Sequence, residues 1–228
     1  MNQSFSLVDS LAVADLQTYL SRAARVEEGS VRLIAGSGVL AVYTAILYPR
    51  GLLDQTPTVL GLRTFATDDE VSFDAVVPIR SLLDRLARVR EAAEADDAPA
   101  GPVGVRLPLE VSTVTWAGIS PPRGGWRPVG ETTYELMEAT ARAGIAEIAD
   151  ALPEGTGEQL VQRVRAEVWG RPIDGLEYVP AGAAFAAESL GFLDPEEPVT
   201  VLETGTWTRL TTQRGHTLIK RQAWSLRM

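Results

Sequence analysis

The apolar positions change period several times along the chain, and each change marks an element. Ala12, Leu16, Tyr19, Leu20, Ala23 and Val26 follow helical spacing, with Asp9 or Ser10 placed to cap the start, so a helix is expected over 12–26. The period then shortens. Val31–Ala35 and Val39–Leu47 are β-rich runs separated by Gly36-Ser37-Gly38, which reads as a hairpin, and Thr58–Thr67 and Val71–Val77 are the next two strands. Ile79, Leu82, Leu83, Leu86 and Val89 restore the helical period, with Pro78 near the first turn. Residues 91–104 read as a helix end running into a linker, and Val105–Ile119 as a further strand.

Residues 118–130, GISPPRGGWRPVG, hold four glycines and three prolines and form the best domain boundary in the chain. Beyond it Tyr134, Met137, Ala141, Ile145, Ile148 and Leu152 recur at steps of three or four, which buries one helix face. Thr132 with Glu135, and Thr156 with Gln159, have capping-box spacing. Leu160, Val161, Val164 and Val168 mark a second helix, and 180–190 a short third one ending near Gly191. Strands follow at Val199–Glu203, Thr206–Thr212 and His216–Gln222, joined by turns at Thr204-Gly205 and Gln213-Arg214-Gly215.

These elements predict an α+β protein. Residues 1–126 form an N-terminal helix, an antiparallel sheet and a packing helix; 127–228 form a smaller three-helix unit ending in a β-hairpin. Three helices followed by a hairpin is the element order of a winged helix, and the segment around Ser189-Leu190-Gly191-Phe192, with Trp207 and Gly215 beyond it, resembles a recognition helix running into its wing. The resemblance implies a nucleic-acid-binding regulator. It departs from that pattern in the helix itself, PAGAAFAAESL, which has none of the Arg, Asn or Gln side chains that read bases. Val31-Arg32-Leu33 returns as Val105-Arg106-Leu107, and Pro49-Arg50-Gly51 as Pro122-Arg123-Gly124, an echo too short to build a repeat on.

Composition narrows the chemistry. Among the 228 residues there is no cysteine, one histidine and one lysine, Lys220. Thiol nucleophiles, iron–sulfur clusters, multi-histidine metal sites and a Walker A loop are excluded. The other basic residues are arginine, which reads as codon pressure in a GC-rich genome rather than as a functional signal. No catalytic, cofactor-binding or metal-ligating residue is assigned, and no cofactor is expected. The start, MNQSFSLVDS, lacks a signal-peptide pattern, and the longest apolar stretch, 39–48, is half the length of a membrane span. No membrane association is expected, and the bacterial cytoplasm is the default location.

The single histidine, His216, reads as an exposed or partly packed turn residue rather than a general base, and Ser37 as a turn residue rather than a nucleophile. The carboxylate clusters Asp68-Asp69-Glu70, Asp96-Asp97 and Asp194-Glu196-Glu197 lie in predicted turns and linkers, where solvated acids belong. Arg50 and Arg123 follow prolines in turns.

Charge is uneven along the chain. Residues 1–127 carry 12 basic and 15 acidic side chains, 128–206 carry 4 and 15, and 207–228 carry 5 and none. The acidic middle opposes phosphate backbones, so nucleic acid is not an expected partner. Arg209, Arg214, Lys220 and Arg221 either offset the acidic helices or form a strip for an acidic partner. The function expected is that of a non-catalytic protein binding another protein or a second copy of itself. The alternatives are the winged-helix-like regulator, and a small-ligand binder or carboxylate-dependent enzyme.

Overall fold

In the computed structural model the described residues are 3–51, 54, 56–68, 70–95, 101–112, 114–153 and 155–221. The chain is a mixed α+β protein whose strands pair antiparallel. It divides into two compact units, residues 1–45 with 62–118, and residues 46–61 with 119–228.

The first unit holds β1 (Ser4–Leu7), α1 (Ser10–Val26), β2 (Ser30–Gly36), β5 (Phe73–Pro78), α2 (Ile79–Ala95) and β6 (Val103–Arg106). β3 (Val39–Leu47) and β4 (Thr58–Ala66) contribute residues to both units. Its sheet order is β5-β2-β3-β4, and β1 pairs with β6 in a separate ribbon. β2 follows the alternation its sequence demands: Val31, Leu33 and Ala35 are buried while the residues between them are not. Asp9 caps α1 through a 2.8 Å hydrogen bond accepted from the Ala12 N–H, leaving Leu16, Tyr19, Leu20 and Ala23 buried on one helix face. Helix α2 buries Ile79, Leu82 and Leu86 and packs on α1.

Two polar links tie this unit together. The Tyr19 hydroxyl lies 2.9 Å from Thr44 Oγ1, fully buried, and burial raises the phenol's pKa. Arg32 spans two strands: its Nε and Nη2 donate to the two Asp74 carboxylate oxygens at 2.8 and 2.6 Å, and Nη1 donates to the Ala117 carbonyl at 2.7 Å.

The second unit contains β7 (Arg127–Thr132), α3 (Tyr134–Ala151), α4 (Glu158–Gly170), β8 (Pro172–Ile173), β9 (Leu176–Pro180), α5 (Ala181–Leu190), β10 (Val199–Thr204), β11 (Trp207–Thr212) and β12 (Gly215–Lys220). Its sheet order is β4-β12-β11-β10-β7, with β8 and β9 a separate hairpin. Helix α5 is half alanine and lies buried against α3 and α4, with Phe185 stacked on Trp169 at 4.4 Å. It ends as expected at Gly191, whose φ of +71° is the left-handed cap conformation.

Several expectations change. The strand expected over 105–119 stops at Arg106: Pro108 cannot donate to a ladder, and Thr115–Gly118 forms a 3-10 turn instead. Residues 127–130, expected within an irregular boundary, belong to the edge strand β7, where Pro128 sits at a register shift opposite Leu202. The cap of α3 is Thr133, one residue later than expected, accepting from the Leu136 N–H at 3.2 Å. The N-cap of helix α4 is Gly157, which has no side chain to cap with, and the expected Thr156 Oγ1 donates back to the Pro153 carbonyl instead. The hairpin β11–β12 is not a free wing, since β10 and β4 flank it, and the helix preceding it is core.

Candidate functional site

A cavity of about 630 Å³ opens in the second unit. Helix α4 forms one wall. Arg163, Ala166, Glu167 and Gly170 line it, and their spacing of three, four and seven places them on one helix face. The adjoining face carries Trp169, only 1% exposed, so the helix is anchored through its core side and its cavity side is held in place.

The chain then enters the β8–β9 hairpin. Asp174-Gly175 makes the turn, with Gly175 at φ +81°, and the hairpin brings Pro172, Tyr178 and Pro180 to the cavity. The remaining wall is the end of β12, Ile219 to Arg221, beside Thr56 and Pro57. Asp54 organises the approach to Thr56. Its carboxylate accepts from the Arg50 N–H at 2.8 Å and from the Thr56 N–H at 2.9 Å. Burial works against the Asp54 charge, but these hydrogen bonds outweigh it and hold the carboxyl below its usual pKa range.

The cavity's electrostatics are one-sided. Arg163, Arg171, Lys220 and Arg221 line it against the single carboxylate of Glu167. Arg171 is committed elsewhere: its Nη1 donates to both Glu147 carboxylate oxygens at 2.8 Å and its Nη2 to Glu167 at 3.1 Å, which raises its pKa. Arg221 donates to Glu203 at 2.9 Å and to the Gly205 carbonyl. Arg163 and Lys220 are exposed and make no ion pair among the described residues.

The four basic residues singled out in the sequence therefore separate. Lys220 and Arg221 reach the cavity. Arg214 closes the β11–β12 turn by pairing with Asp194 at 2.6 Å. Arg209 stacks 4.6 Å over the Trp126 ring, with its Nε buried and unpartnered, and burial lowers its pKa. Arg163, Arg171 and Tyr178 were missed. The Asp174-Gly175 pair between Pro172-Ile173 and Leu176 was the available signal for the hairpin that carries Tyr178.

The other sequence candidates resolve into structural roles. His216 is largely buried, its Nδ1 is 3.1 Å from Thr211 Oγ1, and burial together with the nearby Arg209 charge lowers its pKa to about 4. Ser37 occupies the β2–β3 turn at φ +52°. Asp194 accepts from the Glu196 N–H at 3.0 Å and Glu197 from the Gln213 N–H at 2.7 Å, so this acidic cluster braces turns. Asp69, Asp96, Asp97, Trp224 and Arg227 lie outside the described residues. Among the described residues no three His, Asp or Glu side chains gather as a metal site, and no helix is long and apolar enough to cross a membrane.

Residues 1–105 match the model of one domain of unknown function (DUF8010), and residues 121–224 match that of another (DUF8185). No curated protein matches the chain. Solved structures do. The DNA polymerase III beta subunit of Borrelia burgdorferi, in complex with a natural product, is 7% identical with a TM-score of 0.52, covering 96% of this chain and 64% of its own. The griselimycin-bound sliding clamp of Bartonella birtlesii is 11% identical with a TM-score of 0.52, covering 98% of this chain and 66% of its own. The DNA polymerase sliding clamp of Bacillus subtilis is 9% identical with a TM-score of 0.51, covering 99% and 66%. The fold is similar to that of bacterial sliding clamps. At these identities the likeness is one of fold, and this chain spans 64–66% of the length of these three clamps.

Proposed function

We propose that this chain is a non-catalytic protein-interaction module that binds a segment of a partner protein in the cavity of its second unit. The cavity itself carries the reading. Its volume of about 630 Å³ lies within the range of binding pockets, and Pro57, Pro172, Pro180, Tyr178 and Ile219 give it apolar walls with an aromatic side chain at hand. The clamp-like fold supports a binding role over a chemical one. A cytoplasmic setting and the division into units 1–126 and 127–228 belong to the same proposal; the model matches over 1–105 and 121–224 support that division.

The charge distribution speaks against nucleic acid. The helix that would read bases, α5, is buried and carries no cation, and the chain's net charge is −9.

Selection of random extended peptides on the immobilised protein tests the proposal, with Ala166→Trp as a variant that fills the cavity. Selected peptides are expected to bind the variant at least about tenfold more weakly. A selection that yields no binder, or binders indifferent to Ala166→Trp, overturns it.

A further inference from the structure

We propose that the partner segment is acidic: an apolar side chain seats against Pro172, Tyr178 and Pro180, and flanking carboxylates meet Arg163 and Lys220. This rests on the cavity being a partner site. It adds the chemistry of what enters.

Two observations carry it. The first is the charge left over. Four basic side chains, Arg163, Arg171, Lys220 and Arg221, line the cavity against the one carboxylate of Glu167. Arg171 and Arg221 are satisfied by Glu147, Glu167 and Glu203, whereas Arg163 and Lys220 pair with no acid among the described residues. Cations on a concave, partly apolar surface focus a positive potential that draws in carboxylates.

The second is the character of the walls. Pro57, Pro172 and Pro180 have no N–H, so they offer apolar surface and no donors. A ligand with an apolar body and anionic flanks matches both halves of the lining. Tyr178 and Pro180 are two residues apart on β9 and share one face of the strand. Among the described strands β9 pairs with β8 alone, leaving a main-chain edge along which an extended peptide can lie.

The single lysine makes the test specific, because Lys220 is the only side-chain amine in the chain. The full chain is acetylated with an N-hydroxysuccinimide ester, with Nα-acetyl-lysine as an internal reference, and modification of Lys220 is followed by mass spectrometry. Two pools of acetylated hexapeptides are added in turn. Each has two central positions randomised over Leu, Ile and Phe; aspartates flank them in one pool and asparagines in the other.

The aspartate pool is expected to slow acetylation of Lys220 at least about fivefold, and the asparagine pool less than about twofold. Arg163→Glu, an exposed change whose folding is checked by its thermal transition, is expected to remove the protection. Equal protection by both pools overturns the acidic partner and leaves the partner site standing. Protection by octanoate at the same concentration overturns it in favour of a small organic acid. No protection by either pool overturns it as well, and the cavity-filling selection then decides separately whether a partner binds there.

Discussion

Trp169 lies against the bare backbone of Gly144. The indole of α4 occupies the space where a Cβ on α3 would stand, so the two helices approach through the one position that has no side chain. Gly144→Ala would ordinarily improve a helix interior by about 1 kcal/mol. Here it must displace a ring that is itself stacked on Phe185. The variant is expected to lose about 1–3 kcal/mol, read by urea denaturation. A variant as stable as the parent would show that Trp169 can move.

His216 makes stability fall as the solution is acidified. Its pKa drops from 6.5 to about 4 on folding, so the unfolded chain binds the proton more readily. Above 6.5 both states are neutral and nothing changes. Between 6.5 and 4 the folded state loses about 3 kcal/mol relative to a His216→Gln variant, and below 4 the difference stays constant. Urea midpoints of the two proteins across this range measure it. Arg209→Met removes a nearby positive charge and is expected to raise the His216 pKa, seen by imidazole proton NMR.

Arg32 is a two-pronged link that lysine cannot copy. Its guanidinium meets both Asp74 oxygens and the Ala117 carbonyl, while Asp74 itself is half-exposed. Arg32→Lys is expected to cost about 1 kcal/mol, and Arg32→Met more, since the Ala117 carbonyl then loses its donor. Equal stability of the three proteins in urea would mean that solvent replaces the link without loss.

The segment before β7 is exposed. Arg123 stands exposed between Pro122 and Gly124, whereas α3 buries Met137 and Ala141. Limiting trypsin is expected to cut after Arg123 before it cuts after Arg142; Arg127 resists because Pro128 follows it. Electrophoresis and peptide mass decide the order, and early cleavage at Arg142 would refute it.

The sequence by itself determined what local periodicity can encode. The helical face of Leu16, Tyr19, Leu20 and Ala23, the alternation of Val31, Leu33 and Ala35, and the turn at Ser37-Gly38 are each written within a few residues, because burying one face of a helix or strand imposes a repeat. The α+β class and the missing reactive groups were legible for the same reason. Only the tertiary structure decided which faces meet. The edge strand β7 is exposed at five of its six positions and has no alternation to read; its pairing with β10 holds it. Residues 46–61 belong with the second unit through contacts far along the chain. The cavity joins α4 and the β8–β9 hairpin that follows it to the end of β12 and to Thr56 and Pro57, which are distant in the chain, so Arg163 and Lys220 became neighbours of one space through packing that no local pattern records.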